Sequence, residues 1–161
     1  MKYLLSILLL WSASAFAQNM DAATVKRIVE GKNYVVQAQM VTSRYGPPTP
    51  GRSLTSDYDF TVTPDSIISY LPYFGRAYTA PANPANSGIM FTSTQYDYTA
   101  KRNKKGWEIT IRPKDNRDIQ AVFLDISDSG NSQIQVNSYN RESISFSGTL
   151  VERDNNGRKA F

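Results

Sequence analysis

The chain has 161 residues, with 18 Lys and Arg against 14 Asp and Glu for a formal charge of +4 at pH 7, and it contains neither histidine nor cysteine. The two missing residue types exclude Ser-His-Asp and Cys-His nucleophile systems, disulfide scaffolds and nearly all zinc sites, whose ligands are mostly those side chains. The mild basic excess favours anionic surfaces without demanding nucleic acid.

Residues 1–17 read as a secretory signal peptide: Lys2 gives a basic start, Tyr3 to Trp11 is apolar, and Ala15-Phe16-Ala17 precedes Gln18 in the small-x-small pattern of a cleavage site. The apolar run is shorter than the about 20 residues that a spanning helix needs, and no cysteine follows to carry a lipid. The expected product is residues 18–161, a β-rich unit of one domain, periplasmic or secreted, whose tail frays from about Glu152. Export makes nucleic acid an unexpected partner, and no stable membrane insertion is expected after cleavage.

Asp21 before Ala22, Val25, Ile28 and Val29 predicts a capped amphipathic helix that Gly31 ends. From Tyr34 to Thr42 the apolar period changes to two, which predicts a strand with Val36, Ala38 and Met40 on one face. Arg44 to Ser53 holds Gly46, Pro47, Pro48, Pro50 and Gly51 and reads as a loop, because proline has no amide to give a ladder. Asp57–Val62 and Ile67–Leu71 form a predicted hairpin around Thr63-Pro64-Asp65-Ser66.

Beyond it, Tyr70-Leu71-Pro72-Tyr73-Phe74-Gly75-Arg76-Ala77-Tyr78 crowds rings around one proline and one glycine, and a second irregular stretch runs on to Gly88. Strands resume near Ile89 and continue at Tyr96–Lys101, Trp107–Arg112, Ile119–Ile126, Gln133–Val136 and Ser143–Val151, separated by polar turns. Ile119–Ile126 is apolar at nearly every residue, which predicts a central strand covered on both faces. The expected fold is mainly β (α+β): a curled or barrel-like antiparallel sheet of about eight strands with one N-terminal helix.

The run from Pro64 to Tyr78 resembles the signature of an exported bacterial family known as a domain of unknown function, number 4251. Gly88-Ile89-Met90-Phe91, Lys114-Asp115-Asn116, Val136-Asn137-Ser138-Tyr139-Asn140-Arg141 and Ile144-Ser145-Phe146-Ser147-Gly148 fit the same resemblance. It covers most of the chain and implies no activity and no catalytic residue.

Tyr70, Tyr73, Phe74, Arg76 and Tyr78 are the candidate residues for binding a ligand or partner, since rings and arginine dominate binding hot spots. The competing reading has the four rings plugging one end of the sheet while Arg76 pairs with a carboxylate. Asp57 and Asp59 share a strand face and permit a carboxylate pair, yet beside Tyr58, Phe60 and Val62 they also read as the solvent side of a strand. The run Asp125 to Asn131 resembles a calcium loop but has Val136 where a glutamate is required, so a tight turn explains it. Lys101, Arg102, Lys104 and Lys105 surround one turn, either as an anion site or as edge protection. No cofactor or metal is expected. The leading expectation is a non-enzymatic envelope binding module for an unknown envelope ligand or protein. Its alternatives are a carboxylate-dependent hydrolase of envelope polymers and a small-molecule or lipid carrier with a barrel cavity.

Overall fold

The structure, a computed structural model, describes residues 20–43, 51–78 and 88–153. The signal-like start, the proline-rich loop from residue 44 to 50 and the charged tail from residue 154 onward lie outside the described residues.

Helix α1 (Ala22–Gly31) begins where Asp21 accepts the Thr24 amide at 2.8 Å. It ends one residue later than glycine placement suggests, because Lys32 takes the left-handed conformation (φ 49°) and returns its amide to the Val29 carbonyl. Among the described residues nine strands follow: β1 (Tyr34–Ser43), β2 (Arg52–Val62), β3 (Ile67–Leu71), β4 (Ile89–Ser93), β5 (Tyr96–Arg102), β6 (Gly106–Pro113), β7 (Ile119–Ser127), β8 (Asn131–Ser138) and β9 (Ile144–Glu152). β2 starts at Arg52, so the end of the expected loop is already strand, pairing Arg52 with Val41 and Ser53 with Met40.

All neighbours are antiparallel in the order β4-β3-β2-β1-β9-β8-β7-β6-β5. The two ends of this ladder, β4 and β5, are eight antiparallel steps apart and therefore run in the same sense, yet only Thr94 and Gln95 separate them. They are two halves of one bent strand, which pairs with β3 before the corner and with β6 after it. The sheet curls into a nearly closed barrel, and the bent strand is its seam.

The inward positions form one apolar cluster, with Tyr34, Phe60, Phe146, Ile109, Ile111, Leu124, Ile134 and Ile144 shut off from solvent. Val25, Ile28 and Val29 of α1 pack into the same cluster. The Tyr98 hydroxyl donates to the Val29 carbonyl at 3.3 Å and accepts from Tyr34 at 3.2 Å, tying the helix end to β5. Trp107 turns inward beside Ile109 and Ile111, as their alternation predicts.

β7 is central but covered on one face only. Gln120 and Asp125 are exposed, and a register shift between Ile119 and Ala121 places apolar residues consecutively, which imitates a strand buried on both sides. A second shift between Ala38 and Met40 affects both ladders of β1. Beside it, a Cβ on Gly148 would lie 1.9 Å from the Gln37 carbonyl oxygen, so glycine alone permits the tight coil there.

Candidate functional site at the aromatic end of the barrel

Tyr70 points outward from β3, opposite Asp59 and Met90, and its ring stacks on Tyr58 with centroids 5.7 Å apart. Leu71 and Pro72 are buried and fix the exit of the strand. Tyr73 then folds back: its hydroxyl sits 2.7 Å from the Arg76 carbonyl and 3.2 Å from the Glu142 carbonyl and donates between them. Burial raises the Tyr73 hydroxyl above the ordinary tyrosine range. Gly75 is required by this fold-back, since a Cβ there would meet the Tyr73 hydroxyl oxygen at 2.6 Å.

The chain next meets the connection between β8 and β9. Glu142 donates its amide to the Arg76 carbonyl at 3.0 Å, and Tyr78 donates to the Asn140 carbonyl at 2.9 Å, which makes a one-residue bridge of Ala77 with Arg141. Arg141 is the hub. Its guanidinium lies 5.3 Å from the Tyr73 ring centre, donates to the Gly88 carbonyl at 2.9 Å and approaches the Asp118 carboxylate at 3.4 Å. Asp118 also accepts from the Ser138 hydroxyl at 3.1 Å, and its carbonyl accepts the Tyr139 amide at 2.9 Å.

The candidate residues therefore divide. Tyr73 is an anchor, whereas Tyr70, Phe74 and Tyr78 are 48%, 47% and 69% exposed and Arg76 is exposed beside them. The Arg52 guanidinium sits 4.8 Å over the Phe74 ring. The plug reading fits Tyr73 and not the other three rings. Arg52, Arg141 and Glu142 are the participants that sequence reasoning missed. Arg141 lies in a stretch already noted for its resemblance, but only the barrel reveals that it faces Tyr73. Glu142 is buried, and its Oε2 has no hydrogen-bond partner among the described residues.

The other constellations lie elsewhere. Asp57 is exposed on the side of β2 away from Phe60 and accepts from the Gln37 amide at 3.2 Å. Arg102 pairs with Asp128 at 2.5 Å and lies over the Trp107 ring, while Lys101, Lys104 and Lys105 are exposed. Residues Ser127 to Gly130 form a tight turn closed by the Gly130 amide on the Ser127 carbonyl, with Gly130 at φ 84°. Among the described residues, no group of three or more acids could hold a metal ion, and no helix is long and apolar enough to cross a membrane.

The site thus joins the segment from Tyr73 to Tyr78 with Gly88, Asp118 and the stretch from Tyr139 to Glu142. Those are the stretches, or their neighbours, that carry the sequence resemblance, and the model of a family described as a domain of unknown function (DUF4251) matches residues 17–150. The chain belongs to the DUF4251 family. The DUF4251 match covers every strand up to Leu150 in β9, so the barrel and the aromatic end both fall within it. No curated protein matches the chain.

The aromatic end of this DUF4251 chain offers exposed rings beside guanidinium groups, on a segment that the Ala77–Arg141 bridge ties to the β8–β9 connection. Such a surface supplies contact area and fixed cations, the ingredients of recognition.

Proposed function

We propose that this DUF4251 protein is an exported bacterial envelope protein, periplasmic or secreted, that acts as a binding module. Tyr70, Phe74, Arg76 and Tyr78 form its contact face, positioned by Tyr73, for an unknown envelope ligand or protein. The observation that carries the reading is the exposure of three rings at 48%, 47% and 69% within one short segment whose neighbours Leu71, Pro72 and Tyr73 are anchored. Clustered exposed rings mark interaction sites more often than chance solvent exposure does. Export rests on the pattern of Lys2, the apolar run and Ala15-Phe16-Ala17.

The test places a photo-crosslinking amino acid at position 74, and separately at position 104 as a control, in the full chain made in a bacterial host of the same type. A discrete adduct formed from position 74 only, and lost in the Tyr70→Ser, Phe74→Ser, Tyr78→Ser triple variant at unchanged melting temperature, supports the contact face. Equal labelling from both positions sinks it. N-terminal sequencing of the exported product should begin at Gln18, and retention of an uncleaved chain in the cytoplasm overturns the export half of the proposal.

A further inference from the structure

Two adjoining depressions of about 500 and 520 Å³ lie on the outside of the barrel wall and share Asp125. They follow β8, whose outward residues are Asn131, Gln133, Gln135 and Asn137, while Ser132, Ile134 and Val136 face inward and are buried. Alternate residues of a strand are about 7 Å apart, so four carboxamides make a row about 20 Å long. The row is bordered by hydroxyls on one side: Thr149 pairs with Asn131, Ser147 with Gln133 and Ser145 with Gln135. On the other side Asp125 is opposite Gln133, and the half-buried Phe123 is opposite Gln135.

A strand face that only meets solvent usually carries charges, but residues 131–138 contain none. The side chains of Gln133 and Ser147, in the middle of the row, make no hydrogen bonds among the described residues, while Gln135 donates to Asn137, Asn131 to Ser129 and Gln39 to Thr149 around them. β8 is paired on both edges, by β7 and β9, so its backbone is not available for strand addition and recognition must use side chains.

We propose that this face binds a neutral glycan chain lying along β8. A carboxamide presents donors and an acceptor in one plane, and sugar hydroxyls are likewise donors and acceptors, so a row of amides and hydroxyls can satisfy a row of hydroxyls. Phe123 gives the apolar face of a sugar ring a surface midway along the row. Asp125 and Glu108, opposite each other on β7 and β6, are offset by Lys105 in the lining of the first depression and by Lys101 opposite Glu108, so the face carries both signs and favours a neutral polymer over a charged one. The volumes fall within the range of about 300–1,000 Å³ typical of ligand sites. This surface is distinct from the aromatic contact face and does not depend on it.

Affinity electrophoresis of the full chain through gels containing dextran, laminarin, arabinoxylan or galactomannan, with alginate as the acidic control, tests the proposal. Retardation is expected in at least one neutral polymer and not in alginate, with little change on adding salt. Gln133→Glu and Gln135→Ala should each weaken it by about tenfold or more while leaving the melting temperature unchanged. The inference is overturned if none of the four neutral polymers retards the protein, if alginate retards it more, or if both glutamine variants behave as the wild type. Loss of retardation only in the Tyr70→Ser, Phe74→Ser, Tyr78→Ser variant would assign the glycan to the aromatic face and overturn this site alone. A concentration-dependent dimer abolished by Gln133→Glu would make the occupant a second copy and likewise overturn it.

Discussion

The carboxylate of Asp115 holds the backbone at Gln95: its Oδ2 accepts the Gln95 amide at 3.2 Å and the neighbouring Thr94 amide at 2.9 Å, while Oδ1 takes the Ser93 hydroxyl. One side chain from the turn between β6 and β7 thus satisfies the donors freed where the seam strand bends. The Ser93 hydroxyl bond, followed by the Thr94 and Gln95 amides, holds the Asp115 carboxyl below its usual range.

That relationship fixes an acid response. A carboxyl with a lowered folded-state pKa contributes stability that is present above its unfolded value and lost as pH falls through the folded value. Thermal melts of Asp115→Asn should therefore show a lower melting temperature than the wild type at pH 7 and a gap that narrows below pH about 4. A constant gap from pH 7 to 2 would show that the charge is not what matters.

At the alkaline end the sign reverses. Burial pushes the Tyr98 hydroxyl up to about 12 and raises that of Tyr34 well beyond the ordinary range. The unfolded chain ionises these groups near pH 10, so their stabilisation is complete below that and is lost as pH rises toward the folded values. After a jump to pH about 11.5, phenolate absorbance should appear in a fast phase from exposed tyrosines and a slow phase that coincides with loss of circular dichroism. Tyr34→Phe should reduce the slow amplitude. Complete ionisation before any unfolding contradicts the burial of this pair.

Glycine substitutions should separate by what surrounds them. Gly148→Ala forces a Cβ to 1.9 Å from a backbone carbonyl oxygen, whereas Gly31 has nothing within 4 Å. Urea denaturation should show a loss of about 3 kcal/mol for Gly148→Ala and a gain of about 0.5 kcal/mol for Gly31→Ala. Equal effects would refute the tight strand approach beside the β1 bulge.

Tyr73→Phe keeps the ring against Arg141 and removes the hydroxyl that the Arg76 and Glu142 carbonyls share. A cost of about 1 kcal/mol is expected. Hydrogen exchange should accelerate at the Tyr78 and Glu142 amides, which bridge the segment to the β8–β9 connection, more than at amides in the β6–β7 ladder. Phe74→Ser should leave those rates unchanged.

The strand pattern was readable because inward and outward residues alternate cleanly at Trp107–Arg112 and Ile144–Leu150, and α1 because Asp21 caps an apolar stripe. The start of β2 at Arg52 was hidden by the prolines that precede it. The bend at Thr94-Gln95 was hidden too, since two polar residues between strands look like a hairpin turn, and only the ladder order shows that β4 and β5 run in one sense. At the candidate site, composition singled out the aromatic segment but not which ring turns back. Tyr73 is chosen by carbonyl groups of Arg76 and Glu142, the second of them 69 residues away along the chain. The carboxamide row of β8 was present in plain alternation, and its significance needed the neighbouring hydroxyls of β9.

The ladder between β1 and β9 pairs Tyr34 with Glu152 and Ser43 with Ile144, the first described strand with the last. During synthesis from the N-terminus, the edge of β1 stays without this partner until almost the whole chain has emerged, and contacts of such long sequence separation form slowly. The barrel is therefore obliged to fold late, as a completed chain. A truncation before Ile144 should yield an aggregation-prone chain with an open sheet edge.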